Sequence, residues 1–134
     1  MKNLLLVVFL CFSSFVFAQN QEEIVLGKIV TIESKILDEK RPVWIYLPND
    51  ITINKRYPVV YLLDGDAHFY SVVGMIHQLS SINGNSVCPE MIVVGIPNTN
   101  RTRDLTPYKP DPIDPFLPQE MISESGGGDK FISF

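Results

Sequence analysis

Two short apolar runs do most to limit what this chain can fold into: Val59-Val60-Tyr61-Leu62-Leu63 and Met91-Ile92-Val93-Val94-Gly95-Ile96. The first does not alternate between apolar and polar residues. A short solid run rich in β-branched residues fits a strand covered on both faces, as in a parallel sheet. Between the two runs, Phe69, Val72, Val73, Ile76, Leu79 and Ile82 recur at three- and four-residue intervals, the period of an amphipathic helix. Asp66 is the expected N-cap and Asn83-Gly84 the expected stop. Strand, turn, helix, strand is a βαβ crossover, which is right-handed in nearly all folds.

Upstream, Ile24, Leu26, Val30, Ile32 and Ile36 form a broken period-two set between Glu23 and Leu37. Val43, Ile45 and Leu47 form a second set, with Trp44 and Tyr46 on the other side. With Asp38-Glu39-Lys40 as the polar turn, these runs predict an antiparallel hairpin. The element order β, β, β, α, β predicts an α/β sheet with antiparallel strands leading into a mostly parallel part. From Asn98 to Ser125 there is no periodicity, and five prolines punctuate the stretch. A loop of that length in a compact domain is a lid or binding loop, or a solvated excursion. Gly126-Gly127-Gly128 then precedes Asp129, the expected N-cap of another helix containing Phe131 and Ile132.

The chain has 134 residues and a formal net charge of −4, which bounds it to one domain and leaves no basic stripe for nucleic acid. Lys2 followed by the apolar run from Leu4 to Phe17, with Val16-Phe17-Ala18 at its end, has the layout of a signal peptide. The apolar run falls short of the ~20 residues a membrane-spanning helix needs. The expectation is a signal peptide over residues 1–18, the incomplete N-terminal part of one domain over residues 19–134, export to the periplasm or beyond, and no stable membrane insertion after cleavage. Cys11 leaves with the signal, and Cys88 alone makes no internal disulfide. Its place before Pro89 suits a half-buried small hydrophobe. Asn100-Arg101-Thr102 is a glycosylation sequon, informative only in a eukaryotic secretory pathway.

Several residues have the chemistry of a site. Asp64-Gly65-Asp66 follows a buried strand. An Asp-x-Asp there also fits a haloacid-dehalogenase-like phosphatase, with one Asp as nucleophile and Mg²⁺ held by carboxylates. Asp64, Asp66 and His68 together are three potential metal ligands, although a strand-to-helix turn points them apart. Arg101 and Arg103 lie just beyond a strand's C-terminal end, where ligands bind in open α/β sheets. They either hold a ligand by paired hydrogen bonds or pair locally with Asp104 or Asp111.

Tyr57-Pro58-Val59-Val60-Tyr61-Leu62-Leu63-Asp64-Gly65-Asp66 resembles the third strand and following turn of the Putative esterase family of the α/β-hydrolase superfamily. That family includes the S-formylglutathione hydrolases, the mycolyltransferases and the enterobactin-type siderophore esterases. Asn100-Arg101-Thr102-Arg103-Asp104-Leu105-Thr106-Pro107 and the glycine run into Asp129-Lys130-Phe131 are most similar to the siderophore-esterase group. The resemblance runs from about Val43 to Phe134. It implies the N-terminal portion of an α/β-hydrolase fold, ending before the nucleophile elbow, in an exported serine esterase that needs no cofactor. A siderophore-like lactone is one candidate substrate, and Arg101 and Arg103 would then face an anionic or catecholate group. The resemblance assigns the N–H of Asp66 to the oxyanion hole, with Gly65 permitting the tight turn and the Asp66 carboxylate turned away. In this family the nucleophile, acid and base come later in chain order than His68 and His77. No Gly-x-Ser-x-Gly occurs here, so these 134 residues alone are expected to be inactive, and a non-catalytic fragment or binding remnant is the alternative.

Overall fold

The computed structural model describes residues 22–134, so the predicted signal peptide lies outside the described residues. Four strands form one mixed sheet: β1 (Lys28–Ser34), β2 (Glu39–Tyr46), β3 (Val59–Leu63) and β4 (Ile92–Ile96), in the order β1-β2-β4-β3. β1 and β2 are the predicted antiparallel hairpin. β2 then pairs antiparallel with β4, through Trp44↔Gly95, Ile45↔Val94 and Tyr46↔Val93. β3 and β4 pair in parallel from Val59↔Ile92 to Leu63↔Ile96, which brings their C-terminal ends level. The crossover between them is α1 (Gly65–Ser80).

The hairpin turn falls earlier than Asp38-Glu39-Lys40. Residues 35–38 make the turn, with Asp38 at φ 57°, and Glu39 and Lys40 join the ladder opposite Ser34 and Glu33. Asp tolerates the left-handed conformation because its short side chain bonds locally. The Leu37 amide donates to Ser34 Oγ at 3.1 Å and closes the turn.

One sheet face is covered by α1. Phe69, Val73, Tyr46 and Val93 form the buried core, with Leu26, Trp44, Leu62, Val72 and Ile76 packed against it. Trp44 meets Phe69 edge-on at 5.5 Å between ring centroids, the geometry the aromatic quadrupole prefers. The other face is a groove of about 610 Å³ lined by Ile32, Val43, Tyr61, Leu63, Leu105 and Phe131, among others. This corrects the expectation that β3 is covered on both faces: Val59, Tyr61 and Leu63 stand exposed while Val60 and Leu62 face α1. The apolar residues of β1 are exposed as well.

The proline-punctuated stretch contains two short helices that periodicity does not reveal, α2 (Arg101–Leu105) and α3 (Gln119–Glu124). Asn100 starts α2 by accepting from the Arg103 amide at 2.9 Å, so the sequon asparagine is a helix cap. A last helix, α4 (Gly128–Ile132), begins two residues earlier than an N-cap at Asp129 predicts, with Gly127 at the cap. The glycine run docks on the end of α2. The Gly127 amide donates to the Arg103 carbonyl at 2.9 Å, and a Cβ on Gly127 would lie 2.6 Å from Arg103 Cγ. Both ends of the long excursion are thereby tied together.

Candidate active site at the strand ends

β3 leads into α1 without a loop. Asp64, between them, has φ 51° and ψ 42°, the left-handed region that non-glycine residues enter at a cost. Gly65 then packs against β4 so closely that a Cβ would stand 2.7 Å from the Ile96 nitrogen and 2.8 Å from the Gly95 carbonyl carbon. Its role here is close approach and not an unusual dihedral angle, so the sequence expectation of a tight turn at Gly65 holds for a steric reason.

The Asp64 carbonyl accepts from the amides of Ala67 (3.0 Å) and His68 (3.1 Å). The amides of Gly65 and Asp66 make no hydrogen bond among the described residues. They are orphan donors of a helix's first turn, at the positive end of the α1 dipole. The N-cap position belongs to Asp64 and not, as the sequence suggested, to Asp66. Asp66 turns its carboxylate away from its own helix: Oδ1 accepts from the Asn98 amide at 3.3 Å and from Asn98 Nδ2 at 3.4 Å.

Asp64 makes no capping bond because its carboxylate is held from β4's side of the sheet. Oδ1 accepts from Asn98 Nδ2 at 2.7 Å and from Arg101 Nε at 2.9 Å, and Oδ2 accepts from Arg101 Nη2 at 3.3 Å. This fork-to-carboxylate pairing is the strong, directional kind. Hydrogen bonding from Arg101, then from Asn98, holds the Asp64 carboxyl below the usual carboxylate range. Asp64 in turn raises the Arg101 guanidinium. Arg101 therefore pairs with Asp64, 37 residues upstream, and not with Asp104 or Asp111. Asn98 carried no sequence signal of its own. The parallel register that sets Leu63 beside Ile96 brings it level with the turn.

Arg103 belongs to a second network. Its Nε donates to Asp104 Oδ1 (2.7 Å), and Nη1 and Nη2 donate to Glu39 Oε2 (3.2 Å) and Oε1 (2.8 Å). Arg41 completes a closed ring, with Nη1 2.8 Å from Glu39 Oε1 and Nη2 2.8 Å from Asp104 Oδ2. All three Arg103 nitrogens are thus engaged by this chain's own carboxylates. The bond from Arg103 is the main reason the Glu39 carboxyl titrates below its ordinary value. The Phe131 ring adds a cation–π contact, 5.3 Å from the Arg41 guanidinium carbon.

His68 is exposed in the first turn of α1, and His77 is half-buried in its last. Cys88 is half-buried and free. Among the described residues no group of three His, Cys, Asp or Glu side chains is arranged to hold a metal ion, so Asp64, Asp66 and His68 form no ligand set. The carboxylates of the phosphatase reading likewise gather no ligand set: Asp64 accepts from Arg101 and Asn98, and Asp66 from Asn98. Among the described residues no helix is long and apolar enough to cross a membrane.

A hairpin leading into a β3-turn-α1-β4 crossover, with unpaired amides at the strand ends, defines the N-terminal portion of an α/β-hydrolase fold. The comparisons agree. A sequence profile of the family described as Putative esterase matches residues 34–130, and the chain belongs to that family. Its fold matches an IroE-like serine hydrolase from Shewanella oneidensis with a TM-score of 0.72 and 34% identity, over 81% of this chain and 34% of that one. The BES protein from Bacillus cereus matches with a TM-score of 0.66 and 22% identity, over 88% of this chain and 47% of that one. The siderophore hydrolase EstA from Aspergillus nidulans matches with a TM-score of 0.64 and 24% identity, over 90% of this chain and 43% of that one. The chain therefore spans between a third and a half of the length of these solved relatives. No curated protein matches it.

Proposed function

We propose that this chain is the oxyanion-turn portion of a serine esterase. The observation that carries the reading is the pair of unpaired amides of Gly65 and Asp66 at the end of β3. Donors fixed there stabilise negative charge as it forms on an ester carbonyl oxygen. Losing one such donor typically lowers kcat by about 100- to 1,000-fold. The chain's membership of the Putative esterase family and its 34% identity to a serine hydrolase support the assignment. The nucleophile, acid and base come from parts of the fold that these residues do not include. The substrate is a small-molecule ester, and a siderophore-type lactone is the preferred class, supported by the resemblance of residues 100–107 and by the name of the Aspergillus relative. The protein is exported, with residues 1–18 as its signal and no cofactor required.

The test is to express the complete gene product and assay chromogenic esters and a cyclic catecholate lactone, before and after replacing the elbow serine by alanine. Metal-independent cleavage that the alanine variant abolishes is the expected result. An intact product without ester cleavage overturns the assignment. Fusing residues 1–18 to a reporter active only outside the cytoplasm tests export.

A further inference from the structure

We propose that Arg101 is a positioning residue for the oxyanion turn and not a substrate ligand, an inference that rests on the esterase reading. Asp64 occupies a left-handed conformation at φ 51° with no capping bond to its own helix. What holds it is external. Arg101 Nε and Nη2 grip the two carboxylate oxygens at 2.9 and 3.3 Å, and Asn98 Nδ2 donates to Oδ1 at 2.7 Å.

The grip has a rigid base. Arg101 is the first residue of α2, which Asn100 caps from its N-terminal side. Two and three residues later, Arg103 and Asp104 anchor the same helix to Glu39 and Arg41 of the hairpin. The path from β2 through α2 and Arg101 to Asp64 therefore sets the pose of the backbone that presents the Gly65 and Asp66 amides. A displacement of about 1 Å in a positioning element costs up to about 100-fold in rate. Gly65 limits movement toward β4, where the backbone already touches. Arg101 and Asn98 limit movement away from it.

The experiment uses the complete gene product. Arg101→Gln is expected to lower kcat by roughly 10- to 100-fold with KM within twofold, and Arg101→Lys is expected to restore part of the loss. Asp64→Gly relieves the left-handed strain yet removes the grip. It is expected to remain folded and to lose kcat as Arg101→Gln does, with the double variant no worse than either single one. Lys55→Gln, which breaks an exposed pair with Glu90, serves as the control. Hydrogen exchange at the Ala67 and His68 amides, which donate to the Asp64 carbonyl, is expected to quicken in Arg101→Gln. A raised KM with unchanged kcat overturns the proposal and makes Arg101 a substrate contact. Unchanged kcat and KM together also overturn it. If the wild-type product cleaves no ester, the esterase reading fails, and unchanged exchange at Ala67 and His68 then overturns the grip as well.

Discussion

Arg41 and Asp104, whose side chains are 1% and 3% exposed, meet across the hairpin and α2 with Nη2 and Oδ2 2.8 Å apart. Neither Arg41 Nε nor Asp104 Oδ2 finds a hydrogen-bond partner, so this contact is one of charge more than of aligned donors. A buried pair adds little over a well-packed apolar pair of the same shape, but losing one partner strands the other. Asp104→Ala is expected to destabilise the protein by roughly 3–5 kcal/mol in urea unfolding. Replacing Arg41 and Asp104 together by Met and Leu is expected to cost much less. Equal losses in the two variants would show that the ring itself is stabilising.

Acid acts on the same ring through Glu39. Its carboxyl titrates below the ordinary value of 4.5 in the folded chain, chiefly because Arg103 donates to it. A depressed carboxyl contributes its full stability above the unfolded-state value and loses it as the pH falls through the folded one. Stability is therefore expected to hold above about pH 4.5 and to fall below it. Glu39→Gln is expected to flatten that fall, as read from melting temperature against pH. An unchanged acid limb would assign it to other carboxylates, Asp64 first among them.

Gly65→Ala tests the close approach of the turn to β4. The added methyl would meet backbone at Ile96 and Gly95, which cannot rotate away as a side chain can. A loss of about 1–3 kcal/mol is expected, the range for forcing extra volume into a packed region. The measurement is denaturant unfolding. A neutral result would mean that α1 shifts freely on the sheet.

The 134-residue chain made alone is expected to self-associate. Tyr61 (70% exposed) and Leu63 (45%) stand on an apolar sheet face, and among the described residues β3 pairs on one side only. Unpaired apolar edges recruit further strands. Light scattering behind size exclusion is expected to show oligomers, reduced by Tyr61→Lys. A monodisperse monomer with a cooperative melt would refute this.

Much of the fold was legible in local pattern. Val59–Leu63 is a strand to the residue, and the helical spacing of Phe69, Val72, Val73 and Ile76 marks the face that packs on the sheet. The short helices α2 and α3 were not legible. At five and six residues they are too short to show a period; α2 is held by the Asn100 cap and by contacts with distant residues, and α3 has no side-chain cap at its start. Arg101 and Arg103 stood out as cations near a strand end, and the local pair with Asp104 forms at Arg103, but nothing local indicated that Arg101 would meet Asp64 or that Arg103 would also meet Glu39.

The sequence by itself determined the α/β order, the hairpin, the crossover and the turn Asp64-Gly65-Asp66, because periodicity and turn chemistry act over a few neighbouring residues. Only the tertiary structure decided that β2 and β4 pair, that Asp64 and not Asp66 occupies the cap position, and that Arg101 and Arg103, two residues apart, serve separate networks. Those outcomes depend on strand register and on charges brought together from 37 and 64 residues away, separations at which a linear pattern carries no geometry.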